Sequence, residues 1–432
     1  MVAGIVGKVR WSAWATTNLN CLGELHLPMK QIRGEVLETP KQILYSRLYT
    51  ALCSLLSGKD DRTSWASFSE QDWGAFLVLA QAQGVAPLVY ATFQASNRFQ
   101  LMPQKVLASL RDMYYQSLAQ NSLLLRDLEG ILGVLAAAHI PAIVLKGAHL
   151  AVDLYPDCAL RPMHDLDVLV REDDFEGARQ ALQSIGYTQP FPVLSQRVTR
   201  QVGFELYLSK PGGRTPGIEL HWGLVGGRED RRSAPVSWFW ENTQPFSMFN
   251  HPYDPQYIRA LNPTANLLYL CAHLFLEHGG ASQRLLWLYD IYLLLCRWGA
   301  EINWDILLNK AGELDWTQPL FSGLWAAQQD LVAPLPGGLL DELQSSNPGL
   351  IVPLRGVYQP QPPHAQATWE ALSRLRWRAR LRLALALLFP SPAHLRWRYQ
   401  PNPPWLLPLY YPLKWAGMLW DGLKLLKGLM WR

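Results

Sequence analysis

"LRPMHDLDVLV", Leu160 to Val170, sets two aspartates one residue apart ahead of an apolar run. Side chains of a strand alternate, so Asp165 and Asp167 share one face while Leu166 and Val168 take the other. Two carboxylates one strand repeat apart repel each other unless a cation lies between them. The stretch therefore reads as a buried strand that carries a polar site at its start.

Upstream, "NSLLLRDLEGILGVLAAAHI" has the apolar spacing of a helix, Pro141 stops it, and "AIVLKG" begins a short run rich in β-branched residues. After Gly147, "AHLAVDLY" returns to a helical pattern before the loop "PDCALRP". Downstream, "EDDFEGARQALQSIGY" opens with acids and closes on Gly186, the order expected of a helix. "VGFELYLSK" and "GIELHWGLV" flank the turn-rich "PGGRTP" and predict a β-hairpin. The fold class expected is α+β: an α/β core with a small mixed sheet, flanked by helical N- and C-terminal regions.

Along the whole chain this gives a poorly defined segment over 1–40, a helical region over 41–120, the core over 121–248 and a helical domain over 249–352. A proline-rich linker over 353–366 contains "GVYQPQPPH", and basic amphipathic helices follow over 367–432.

The 432 residues are 49% hydrophobic, enough to close a substantial core. Lys+Arg number 39 against Asp+Glu 35, a net charge of +4 that by itself implies no nucleic-acid partner. Five cysteines without a CxxC spacing argue against a disulfide scaffold or a zinc knot and predict a reducing, cytoplasmic setting. Lys8 and Arg10 interrupt the first apolar stretch, which lacks the order of a secretory signal.

Magnesium takes hard oxygen ligands, and paired ions stabilise the attacking and leaving oxygens of phosphoryl transfer. Asp165 and Asp167 suit that cation, and "IELHW" offers a third acid: Glu219 and His221 share a strand face. The turn "LKGAH" supplies the complementary half. Gly147 lets backbone pass close to a ligand, the following helix points N–H groups at an anion, and Lys146 adds charge. Arg161 brings a planar fork suited to phosphate.

With these residues in view, the chain resembles the uncharacterised nucleotidyltransferase family of the polymerase-β-like superfamily. The resemblance rests on "VLKGAHLAVDLYPDCALRPMHDLDVLV", "IGY", "IELHW", "LYLCAHLFLEHGGASQRLLWLYDIYLLL" and "NWDILLNKA", and spans roughly Leu124 to Leu320. It implies an α/β nucleotidyltransferase core in which Gly147 belongs to the nucleotide-binding turn; Lys146, Ala148 and Arg161, by their chemistry and place around that turn, are the further candidates for the nucleotide. The resemblance further implies that Asp165, Asp167 and Glu219 hold metal and carry catalysis; His221, on the face of Glu219, is a candidate to orient it or pack beneath the site. The cofactor implied is Mg²⁺, as two ions, and the substrate a nucleoside triphosphate whose α-phosphorus is attacked by an unidentified acceptor hydroxyl. The chain departs from the superfamily in having Lys146-Gly147-Ala148 where Gly-Ser is usual; toxin-type relatives of abortive-infection systems resemble it there.

Competing readings remain at this level. Aspartates at a strand start also serve as caps, and Glu219 alone reads as a solvent-facing hairpin residue. Lys146 and Arg161 each have an ordinary surface reading. An EF-hand fails, because Leu169 and Val170 stand where oxygen ligands would fall. "AHLFLEHGG" matches neither HExxH nor HxxEH, so His273, Glu277 and His278 read as structural, as does Asp290. A non-catalytic nucleotide-binding or adaptor protein of the same fold is the alternative to the enzyme.

No run of eighteen apolar residues occurs, so no spanning helix is expected. "LKWAGMLWDGLKLLKGLMWR", drawn as a helix, puts Lys414, Asp421, Lys424, Lys427 and Arg432 on one side. With Trp415, Trp420 and Trp431 this predicts either an anionic membrane surface as partner at the inner face of the membrane or a helix folded back on the protein. No motif that reads nucleic acid accompanies the arginines of "RLRWRARLRL".

Overall fold

The computed structural model describes residues 40–59, 64–190, 196–213, 215–226, 230, 233–248, 251–278, 284–352, 373–400 and 403–430. The expected segment 1–40, but for its last residue, and the linker 353–366 lie outside the described residues.

Three helices lead in: α1 (Pro40–Leu56), α2 (Glu70–Ala82) and α3 (Ala86–Ala95). Ser69 starts α2 through a capping box, its hydroxyl accepting the Asp72 N–H while the Asp72 carboxylate accepts the Ser69 N–H. Trp65, Trp73, Phe76 and Phe93 pack edge and face inside this layer. Helix α4 (Gln104–Ala137) then runs unbroken for 34 residues, across position 120. Leu124, Leu128, Ile131 and Leu135 recur on one stripe and are buried.

The strands follow in a mixed sheet: β1 (Ala142–Leu145), β2 (Leu166–Val170), β3 (Glu205–Leu208), β4 (Ile218–His221), β5 (Thr243–Pro245) and β8 (Ile258–Leu261). A separate pair, β6 (Ser247–Met248) and β7 (His251–Pro252), lies between the last two in sequence. The sheet order is β3-β4-β2-β1-β8-β5. β1 and β2 run antiparallel, and their parallel neighbours come from farther along: β8 beside β1, β4 beside β2. β3 and β4 form the expected hairpin. β8 enters the sheet from beyond position 248. The fold is of the α+β class expected, a small mixed sheet set among helices.

β1 and β2 are buried along their whole lengths, which is why they read as almost continuous apolar runs. One sheet face (Val144, Val168, Ile218, Leu220) packs on α4 and on Phe175 and Leu182 of α6 (Phe175–Ser184). On the other, Ile143, Leu145 and Leu169 join the core of the helical region. That region comprises α9 (Pro263–Ala272), α10 (Leu285–Trp298), α11 (Trp304–Glu313), α12 (Thr317–Leu331) and α13 (Leu339–Ser346). Three short helices join the strands: α5 (Lys146–Asp153) directly after β1, α7 (Gln196–Val202) before β3 and α8 (Ser237–Glu241) before β5. The polar residues of the strands emerge between sheet and helical region.

At the C-terminus α14 (Trp377–Leu388), α15 (Pro392–Tyr399) and α16 (Tyr410–Met430) complete the chain. α14 is fixed to α7 through Val202, Leu375, Ala379 and Leu383. Lys414, assigned by its sequence to a charged outer side, turns inward: its ammonium donates to the Leu387 carbonyl, and Trp415 Nε1 donates to Leu388 O at 2.7 Å. Burial pulls Lys414 down to about 8. The last helix is thus folded back at its start, because the end of α14 leaves carbonyls that need donors.

Candidate active site

The parallel register of β2 and β4 sets Asp167 beside Glu219, and the hairpin register sets Glu205 opposite His221. Since side chains alternate, these four project from one sheet face, the one turned to the helical region. Lys146 joins them from the end of β1, where Leu145 is the register partner of Asp167. Strand passes to helix there without a loop, and Lys146 takes the left-handed backbone, with φ of 43°. A residue with a Cβ pays steric energy for that conformation, of order 1–2 kcal/mol, and its ammonium is aimed at the acids.

Lys146 Nζ lies 2.8 Å from Asp167 Oδ1 and 4.0 Å from Glu219 Oε2. His221 Nε2 lies 3.0 Å from the same Asp167 oxygen and 3.8 Å from Glu219, and its Nδ1 is 3.5 Å from Glu205 Oε2. Asp167 and His221 form a buried floor, with side-chain exposures of 4% and 0%, while Glu219 at 20% remains partly exposed. Asp165 stands just ahead of β2 rather than within it.

Burial opposes charge on Asp167, yet the Lys146 ammonium and the His221 hydrogen bond hold its carboxyl well below the usual range. Asp165 is pushed up to about 7 by burial and then by the charge of Asp167. Glu219 is raised by loss of solvent and by Glu205, Asp165 and Asp167. Lys146 stays charged in spite of its burial, held by Asp167 first among its neighbours. Acids outnumber the cations that face them, and that surplus adds to burial, the larger cause, in raising Asp165 and Glu219.

A divalent cation fits this imbalance. Asp167, Glu219 and His221 each offer a ligand atom, all within 4.8 Å of one another. Magnesium characteristically takes one or two carboxylates and completes its shell with water and substrate phosphate, so Asp167 and Glu219 are the matching pair, with Asp165 adding charge beside them.

The turn residues are placed differently from the strand acids. Arg161 is buried and holds Asp290 of α10 through a fork, Nε to Oδ1 at 2.9 Å and Nη2 to Oδ2 at 2.8 Å, while Tyr155 donates to Oδ1 at 2.8 Å. Its charge is matched inside the protein, since a desolvated guanidinium is stable only against a carboxylate. Gly147 serves this pair: a Cβ there would come 2.7 Å from Arg161 Nη1. Ala148 is buried in the core beneath the sheet.

Four neighbours were missed or undervalued in the sequence. Glu205 has a readable signal, the alternation of "FELYL", but its position opposite His221 depends on hairpin register. Tyr269 of α9 and His273 of the π turn (His273–Glu277) sense Lys146 and Asp167, and burial shifts both against their charged forms. Arg284 immediately precedes α10, lowered by burial and countered by Asp165. Of the remaining residues of "AHLFLEHGG", Glu277 accepts the Gly226 N–H at 3.2 Å and His278 stacks on Trp287.

A mixed sheet with Asp167 and Glu219 paired across parallel strands, a lysine at the preceding strand end and a helical region over that face defines a nucleotidyltransferase-type protein. The family model for uncharacterised nucleotidyltransferases matches residues 69–331, and the chain belongs to that family. Nucleotidyl transfer is the general role this membership carries. No curated protein and no solved structure matches the chain.

Proposed function

We propose that the chain transfers a nucleoside monophosphate from a nucleoside triphosphate to an acceptor hydroxyl, with magnesium at Asp165, Asp167 and Glu219. The observation that supports this reading is the pairing of Asp167 with Glu219 across β2 and β4, in a chain of this family.

The acceptor oxygen forms a bond to the α-phosphorus, the bond to the pyrophosphate oxygen breaks, and pyrophosphate leaves. When bound, magnesium supplies charge to the phosphate oxygens and lowers the cost of deprotonating the hydroxyl. Glu219, partly exposed, takes the acceptor proton or would hold the ion beside that hydroxyl. His221 orients the Asp167 carboxylate from beneath. Lys146 counters charge shared between Asp167 and the triphosphate, and Gly147 and Ala148 keep the first turn of α5 close to it. Arg161 holds the α5 turn to α10 through Asp290.

The test is incubation of a lysate with α-labelled nucleoside triphosphates, magnesium and the purified chain, following which species becomes labelled and whether pyrophosphate appears. Label transfer by the wild type and its loss in Asp167→Asn and Glu219→Gln is the expected result. Calorimetric binding of a magnesium–nucleotide complex without transfer to any species would support the non-catalytic adaptor instead.

A further inference from the structure

The C-terminal helices present a surface that the nucleotidyl-transfer reading does not use. Between residues 373 and 420 the sequence holds seven arginines, one lysine and no aspartate or glutamate. A net charge of +4 over the whole chain hides this concentration.

α14 has two apolar faces. Ala379 and Leu383 point inward and pack against Val202 of α7, which fixes the helix's rotation. Trp377, Leu381, Leu385 and Leu388, at helical spacing, then point outward, with Trp377 68% and Leu381 54% exposed. Arg376, Arg378 and Arg382 flank that stripe and are exposed. The apolar surface continues through Phe389, whose ring meets Trp415 edge-on at 5.6 Å, onto α16, where Leu419 and Trp420 are 70% and 61% exposed.

A soluble surface seldom leaves a connected strip of this kind bare. Leucines and tryptophans bordered by arginines, without acids, match the interface of an anionic bilayer: apolar side chains reach the acyl boundary, tryptophan sits at headgroup depth, and guanidinium groups meet phosphate. A second copy of the chain fits poorly, because it would bring two strongly cationic faces together. Nucleic acid leaves the leucine stripe without a partner. None of the described helices is long and apolar enough to cross a membrane, so contact is lateral.

We propose that the outward face of α14, continued by the exposed side of α16, docks this protein on a membrane surface rich in anionic phospholipid. The anchoring element is α14 more than the end of the chain, since the start of α16 spends Lys414 and Trp415 on capping α14.

The test is flotation of the full chain with vesicles of phosphatidylglycerol and phosphatidylcholine in equal parts, against phosphatidylcholine alone. Recovery with the anionic vesicles only, reduced by high salt, is expected. Trp377→Ser/Leu381→Ser/Leu385→Ser should abolish it, and Arg376→Gln/Arg378→Gln/Arg382→Gln should weaken partition by at least about tenfold. Unfolding temperature shows whether each variant is folded; should the serine variant not fold, the arginine variant decides. Equal recovery with neutral vesicles, or undiminished recovery of a folded variant, overturns the proposal. So does a dimer, seen by sedimentation without lipid, that the serine substitutions dissolve, or RNA binding in preference to vesicles.

Discussion

Arg161 grips Asp290 through two parallel hydrogen bonds of 2.9 and 2.8 Å, tying the approach to β2 to the middle of α10. Both side chains are buried, and Tyr155 adds a third bond to the carboxylate. Removing one partner strands the other charge away from water. Asp290→Ala should lower unfolding free energy by about 3–5 kcal/mol, read from a urea titration. The double variant Arg161→Met/Asp290→Leu should recover much of that loss; a loss equal to the single variant's would show that the pair is not the cause.

Gly147→Ala tests the same contact from the other side. The added methyl group meets a guanidinium that its fork with Asp290 prevents from swinging aside. A cost of about 1–3 kcal/mol is expected, and thermal unfolding beside the wild type measures it.

Lys146→Met removes the ammonium that faces Asp167 and Glu219. The site becomes more negative, so half-saturation by magnesium should fall, while the KM for nucleotide rises by about tenfold or more through loss of a charge-assisted contact. Opposite movement of these two constants is the diagnostic; both rising together would place Lys146 in a purely structural role.

Asp165, which moves from 3.8 up to about 7 on folding, contributes to the pH dependence of stability in the same direction as the raised Glu219. Between those values the metal-free folded chain binds more protons than the unfolded one, so stability falls as pH rises from about 4 to about 7. Asp165→Asn should flatten that slope in the presence of EDTA. Magnesium, which favours the ionised carboxylates, should raise the unfolding temperature more at pH 8 than at pH 5.

The strands were legible because their chemistry is local. "AIVL" and "LDVLV" are short apolar runs, and the alternation of "IELHW" puts Glu219 and His221 on one face wherever β4 lies. That β4 lies parallel beside β2, with Asp167 opposite Glu219, was not, because pairing between segments 52 residues apart is decided by tertiary packing. Arg161 illustrates the limit. Its phosphate-like fork was visible in the sequence, but Asp290, 129 residues away, is what occupies it. At the C-terminus the basic apolar pattern was plain, while the inward turn of Lys414 depended on the unpaired carbonyls ending α14.

The partner of Arg161 also bears on how the protein comes into being. A ribosome delivers β1, β2 and β4 long before it delivers Asp290. Until then the α5 turn lacks the carboxylate that anchors it through Arg161. The interlocking of early and late segments means that a fragment halted before α10 holds Arg161 without the carboxylate that neutralises it.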